Sequence, residues 1–86
     1  MFVVVTYDVN AKRIPRVEKF LNRFLAHVQN SIFEGELSGT AIKELESGLK
    51  KIISRDQDSV RIYVFERREC VKTISLGTQT EPSDII

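Results

Sequence analysis

The order of periodicities along the chain predicts an α+β fold, two helices packed on one face of a β-sheet. Three observations carry that reading. A β-branched and aromatic run opens the sequence. Two segments follow with apolar residues at spacings of three and four, and strand-forming stretches separate and succeed them. With 86 residues, 42% hydrophobic and 29% charged, the chain makes one domain, 1–86. Domains of this size bury about two-thirds or less of their unfolded surface, and commonly lean on disulfides, a metal or a partner subunit. A single cysteine, Cys70, excludes an internal disulfide, and with a single histidine it excludes a structural zinc site within one chain. A partner chain is therefore expected.

Residues 2–7, FVVVTY, are too short for a helix and too apolar for an exposed strand, so they read as a central buried strand ending at Asp8. Asn10 supplies turn chemistry and Pro15 suits a first helical turn. Ile14, Val17, Phe20, Leu21, Phe24 and Leu25 then form one apolar face, which predicts a helix over 13–27. Lys12, Arg16, Lys19 and Arg23 make a basic stripe at the same spacing, either a solvated face or a binding surface. Residues 28–37 have no helical period and predict a strand broken near Asn30–Ser31, with Gly35 at a bulge or a close backbone approach. Ser38-Gly39-Thr40 makes a turn and offers an N-cap for a second helix over about 40–54, carried by Ile42, Leu45, Leu49, Ile52 and Ile53. Gly48 lowers that helix's intrinsic stability by about 1 kcal/mol relative to alanine. After the polar turn 56–59 comes a strong strand, VRIYVF over 60–65, then a weaker one over 71–76.

With 28–37 split in two, the order is β-α-β-β-α-β plus a trailing strand, a ferredoxin-like plait. Val3, Val5, Phe33 and the 60–65 strand would not all face the helices. That leaves an apolar sheet face for a second sheet to cover, and predicts a homodimer packed sheet to sheet. The polar stretch before Ile85 and Ile86 makes 78–86 a segment expected to dock on the partner. Thirteen basic against twelve acidic residues give a net charge of +1, so any nucleic-acid contact must come from a local patch. No apolar run reaches the ~20 residues of a membrane span. The absence of a signal-peptide pattern and the unpaired cysteine predict a cytoplasmic protein.

Asp8 is the leading candidate for chemistry. A carboxylate at the end of a buried strand, ahead of a basic helix, suits an oxygen-preferring cation such as Mg²⁺ or Mn²⁺; the alternative is a turn residue capping that helix. One carboxylate per chain makes a poor metal site, whereas two meeting across a dimer axis make a plausible one. Tyr7 points to the other side of the strand, as a core or interface aromatic. Arg13 and Arg16 either clamp phosphates or solubilise the helix start. Phe33, on one strand face with Ser31, either stacks a base or packs. His27 reads as a helix-end residue, and Glu34, Glu36 and Glu66 as strand-edge charges. No serine or cysteine nucleophile arrangement and no phosphate-cradling glycine loop is present.

Three pieces stand together: Val4-Val5-Thr6-Tyr7-Asp8-Val9, the segment Arg13 to Leu21, and Gln29-Asn30-Ser31-Ile32-Phe33-Glu34-Gly35-Glu36-Leu37. In this order and length the chain resembles the second CRISPR-associated protein family, the small endoribonucleases of spacer acquisition. The resemblance implies a ferredoxin-like homodimer whose C-terminal strand extends the partner's sheet. It implies phosphodiester hydrolysis in single-stranded RNA or double-stranded DNA, dependent on Mg²⁺ or Mn²⁺. Asp8 matches the family's metal-binding aspartate, Tyr7 the aromatic before it, and Arg13 and Arg16 the basic residues opening the first helix. Ser31 and Phe33 match the second-strand motif. His27 falls where some members carry arginine. Lys19 and Arg23 extend the basic stripe toward nucleic-acid backbone. The resemblance also implies a second role, a non-catalytic DNA-binding adaptor that bridges dimers of the CRISPR integrase.

Overall fold

The computed structural model describes residues 1–78. Five of the six predicted elements form, with shifted ends and with the broken second strand present as two. They are β1 (Phe2–Asp8), α1 (Ile14–Leu21), β2 (Ala26–Gln29), β3 (Ile32–Glu36), α2 (Gly39–Ile52) and β4 (Ser59–Phe65). A 3-10 turn over Ala11–Arg13 leads into α1. The sheet order is β2-β3-β1-β4 and every neighbouring pair is antiparallel, the ferredoxin-like arrangement.

Cross-strand partners share a face, so the register sorts the sheet. Val5 stands opposite Phe33 on one side and Ile62 on the other, and Val3 opposite Gly35 and Val64. Val3, Val5 and Phe33 are fully enclosed together with Val17 and Leu21 of α1 and Leu45 of α2. The expectation that these residues could not all face the helices is therefore corrected, because strict two-residue alternation puts them on one side. The opposite face carries Val4, Thr6, Asp8, Ile32, Glu34, Arg61, Tyr63 and Phe65, a mixed surface rather than an apolar one. Phe2 lies there too, yet it is 3% exposed. Arg68 covers its ring at 5.1 Å, and Phe65 lies 6.5 Å away. Arg68 also approaches Glu34 at 3.7 Å, so the chain beyond β4 folds back over this face.

Among the local expectations, the length of α1, the place of His27 at a helix end and the strand over 71–76 are not met. Helix α1 stops at Leu21, not at 27: the Arg23 and Phe24 N–H groups donate to the Phe20 and Leu21 carbonyls in tight i→i−3 turns. Phe24 and Leu25 keep the apolar spacing because that turn also points them inward, with Leu25 buried. His27 consequently lies on β2. The predicted break near Asn30–Ser31 is present as the β2–β3 turn, and the register shift sits at His27/Gln29. Gly35 is a close approach: an added Cβ would meet Leu25 Cδ2 at 3.1 Å. Residues 71–76 form no strand among the described residues; a short 3-10 turn, Arg68–Cys70, precedes them. The expected docking strand 78–86 lies outside the described residues save for Thr78.

Helix α2 begins as expected at Ser38, whose Oγ accepts from the Ala41 N–H at 3.1 Å. Replacing that cap by alanine costs about 1 kcal/mol, which for a domain of this size is about 4–8 °C in Tm. Ser38→Ala should show that loss in thermal unfolding and Ser38→Asp should retain most of the stability.

Candidate functional site

Alternation along β1 turns Tyr7 into the core and leaves Asp8 exposed on the opposite face, across from Ser59 of β4. No hydrogen bond or ion pair engages the Asp8 carboxylate among the described residues. Around it the backbone is held firmly from both flanks.

On the first flank, the Tyr7 hydroxyl donates to Glu18 Oε2 at 2.6 Å and lies 2.9 Å from the Asn30 carbonyl oxygen. His27 Nε2 donates to that same carbonyl at 2.8 Å, and its ring stacks on Phe33 at 4.2 Å with 5° between planes. The Tyr7 N–H donates to the Ser31 carbonyl at 3.2 Å. The β2–β3 turn, with exposed Ser31 at its tip, is thereby tied to the strand end that carries Asp8. Burial, reinforced by the neighbouring Glu18 carboxylate, pushes the Tyr7 hydroxyl well above its ordinary range, so it stays protonated and donating.

The second flank is an ion pair that the sequence pattern did not reveal. Arg13 Nε donates to Asp58 Oδ2 at 2.5 Å and its Nη2 to Asp58 Oδ1 at 2.9 Å, a two-bonded fork; Nη2 also reaches Gln57 Oε1 at 3.0 Å. Asp58 further accepts from the Asn10 N–H at 2.8 Å and the Ser54 N–H at 2.7 Å, and its side chain has no exposed surface. One carboxylate thus pins the segment after Asp8 to the turn before Ser59. The Asp-Gln-Asp-Ser turn held a signal, since two acids in a short connection invite a backbone-capping role.

Two expectations about the site residues change in this light. Arg13 is paired with Asp58 through Nε and Nη2, so its guanidinium serves as a structural tie between the two loops. Phe33 has no exposed surface and packs between His27 and Tyr7, whose ring centroid is 6.1 Å away; a base cannot stack on it without opening the core. Lys12, Arg16, Lys19 and Arg23 are exposed, and none pairs with a carboxylate among the described residues. Arg16, Lys19 and Arg23 border one shallow hollow with Phe20 and Ile52. The described residues contain no group of three or more His, Cys, Asp or Glu placed to hold a metal ion. No helix among them is long and apolar enough to cross a membrane.

A four-stranded antiparallel plait, with a carboxylate unpaired among the described residues at the end of β1 and two helices on the opposite face, defines a small ferredoxin-like α+β protein. The sequence matches the family described as CRISPR associated protein Cas2 over residues 1–73, and the chain belongs to that family. It is 47% identical to the CRISPR-associated endoribonuclease Cas2 2 of Archaeoglobus fulgidus, over 92% of this chain and 86% of that one. It is 42% identical to the CRISPR-associated endoribonuclease Cas2 of Pyrococcus furiosus, over 100% of this chain and 99% of the relative. Among solved structures, one described as the crystal structure of cas2 superposes with a TM-score of 0.86 at 44% identity, covering 100% of this chain and 97% of the other. Streptococcus pyogenes Cas2 at pH 6.5 gives 0.74 at 32% identity, covering 87% of this chain and 100% of the other.

The Asp58 tie makes a pH prediction. The donors around it, Arg13 foremost, hold its carboxyl well below the usual carboxylate range. A depressed folded-state pKa contributes stability that is complete above the unfolded value of about 4 and is lost as pH falls through the folded value. Tm should therefore drop as pH is lowered from about 5 to 2, and Asp58→Asn should lower Tm near neutrality while flattening that acid limb.

Proposed function

We propose that the chain is a metal-dependent endonuclease that works as a homodimer on RNA or DNA. The observation that carries this reading is the Asp8 carboxylate, exposed, unpaired and fixed on both flanks at the end of the central strand. The names of the relatives, CRISPR-associated endoribonucleases, support it. Asp8 is a hard oxygen donor and fits Mg²⁺ or Mn²⁺. A single carboxylate is too few for a protein-built site, so the fit requires Asp8 from each of two chains with water completing the shell. When bound, such an ion supplies Lewis acidity toward a phosphate oxygen and a more acidic water. The protein's own part is positional. Tyr7, Glu18 and His27 fix the strand end and the turn beside it, Asp58 fixes the following loop, and Arg16, Lys19 and Arg23 neutralise phosphates.

Two surfaces support the dimer. β4 pairs only with β1, so its outer edge is unpaired among the described residues. Beside that edge runs an apolar groove lined by Ile42, Leu49, Ile53, Val60, Ile62 and Val64. The mixed face with Val4, Ile32 and Tyr63 meets its counterpart in this dimer. In the cell's CRISPR machinery the same dimer would serve as an adaptor between integrase dimers, gripping DNA backbone without reading sequence.

Asp8→Asn keeps the size and hydrogen-bonding capacity and removes the charge. With Mg²⁺ and single-stranded RNA or duplex DNA, it should abolish cleavage while Tm and dimer mass stay as in the wild type. Cleavage by Asp8→Asn at the wild-type rate would sink the nuclease reading and leave the adaptor.

A further inference from the structure

Phe33 of β3 is buried, but the basic face carries an aromatic of its own. Phe20 is placed four residues after Arg16 on α1 and three before Arg23 in the turn that follows, so it stands between cations of the helix and of the turn. It is half-buried and lines the same hollow as Arg16, Lys19 and Arg23. The tip of its ring rests on α2 at Gly48, where an added Cβ would lie 2.1 Å from Cζ. Only a glycine there lets the ring lie in this position. The Arg23 guanidinium stands 5.7 Å from the Phe20 centroid and 5.8 Å from that of Phe24, and the two rings are 5.2 Å apart. The one acid of α1, Glu18, bonds Tyr7 and so neutralises none of these charges.

From this geometry we infer that Phe20 is a base-stacking residue, and that the outer face of α1 receives single-stranded polynucleotide in preference to duplex. The inference rests on the proposed nucleic-acid function and deepens it. Cations flanking an aromatic ring form the arrangement that binds single strands: phosphates take the charges and a base takes the ring. A duplex keeps its bases stacked and offers this face only its phosphates. An acidic protein segment would use the cations and be indifferent to the ring.

The test is binding by the full-length protein, without divalent metal, to a labelled oligouridine strand and to a duplex of equal length. Phe20→Leu keeps an apolar side chain over Gly48 and removes the π face. It should weaken single-strand binding about tenfold, within the range of one lost base stack, and leave duplex binding unchanged. Phe20→Tyr should restore it. Removing the charges of Arg16, Lys19 and Arg23 together should weaken both ligands and lower the salt slope for duplex by about 0.9 per lost contact. Equal weakening of both ligands by Phe20→Leu, or of neither, overturns the inference while the basic face stands. Failure of the wild type to bind either overturns the nucleic-acid function itself. If Phe20→Leu unfolds, Phe20→Trp gives the answer in a chain that has no other tryptophan. Quenching by the single strand alone supports stacking, and no quenching, or equal quenching by duplex, refutes it.

Discussion

The two-residue alternation of β1 governs both the core and the site. Val3, Val5 and Tyr7 must face the helices, because the fully enclosed part of the core includes the first two and Phe33 opposite Val5. Val4, Thr6 and Asp8 must then face away. A shift of one residue would bury Asp8 and expose Tyr7, and the buried carboxylate would lack any paired donor. The position of the candidate ligand is thus inherited from hydrophobic packing. Nothing about the site needs to stabilise the fold for the fold to hold the site.

Alternation fixes direction but not position, and position comes from the ties around the strand end. Asp58 gathers four donors from three residues, and Tyr7 and His27 converge on one carbonyl in the β2–β3 turn. Charged and buried bonds of this kind are stronger than neutral surface ones and hold loops in one conformation. The division of labour on the basic segment follows. Arg13 belongs to the frame, because it has a carboxylate partner. Arg16, Lys19 and Arg23 pair with no carboxylate among the described residues and stay exposed.

Most of the fold is legible in the sequence because periodicity reports burial, and burial builds the elements. The β1 run, the α2 stripe and the 60–65 strand stand out for that reason. The end of α1 does not, because Phe24 and Leu25 face inward from a turn as they would from a helix, and spacing alone does not separate the two. Asp8 and the cations are legible as residue types. Their partners are not: the Asp58–Arg13 pair spans 45 positions, and Tyr7 meets Glu18 and Asn30 only after the plait closes. Phe33 shows the same limit, since its strand places it on one of two faces and only the register settles which.

That limit also separates the aromatics of the strands from those of the helices. An aromatic inside a strand-forming motif is taken up by the sheet, because a plait this small needs its large side chains in the core. An aromatic on a helix's boundary can rest on the neighbouring helix only where that helix leaves room for the ring. Gly48 yields that space to Phe20, at a cost in helix propensity of about 1 kcal/mol. A glycine in the middle of α2 looks like a defect when that helix is considered alone. Set against α1, it is the reason the Phe20 ring can lie among cations without lifting the two helices apart.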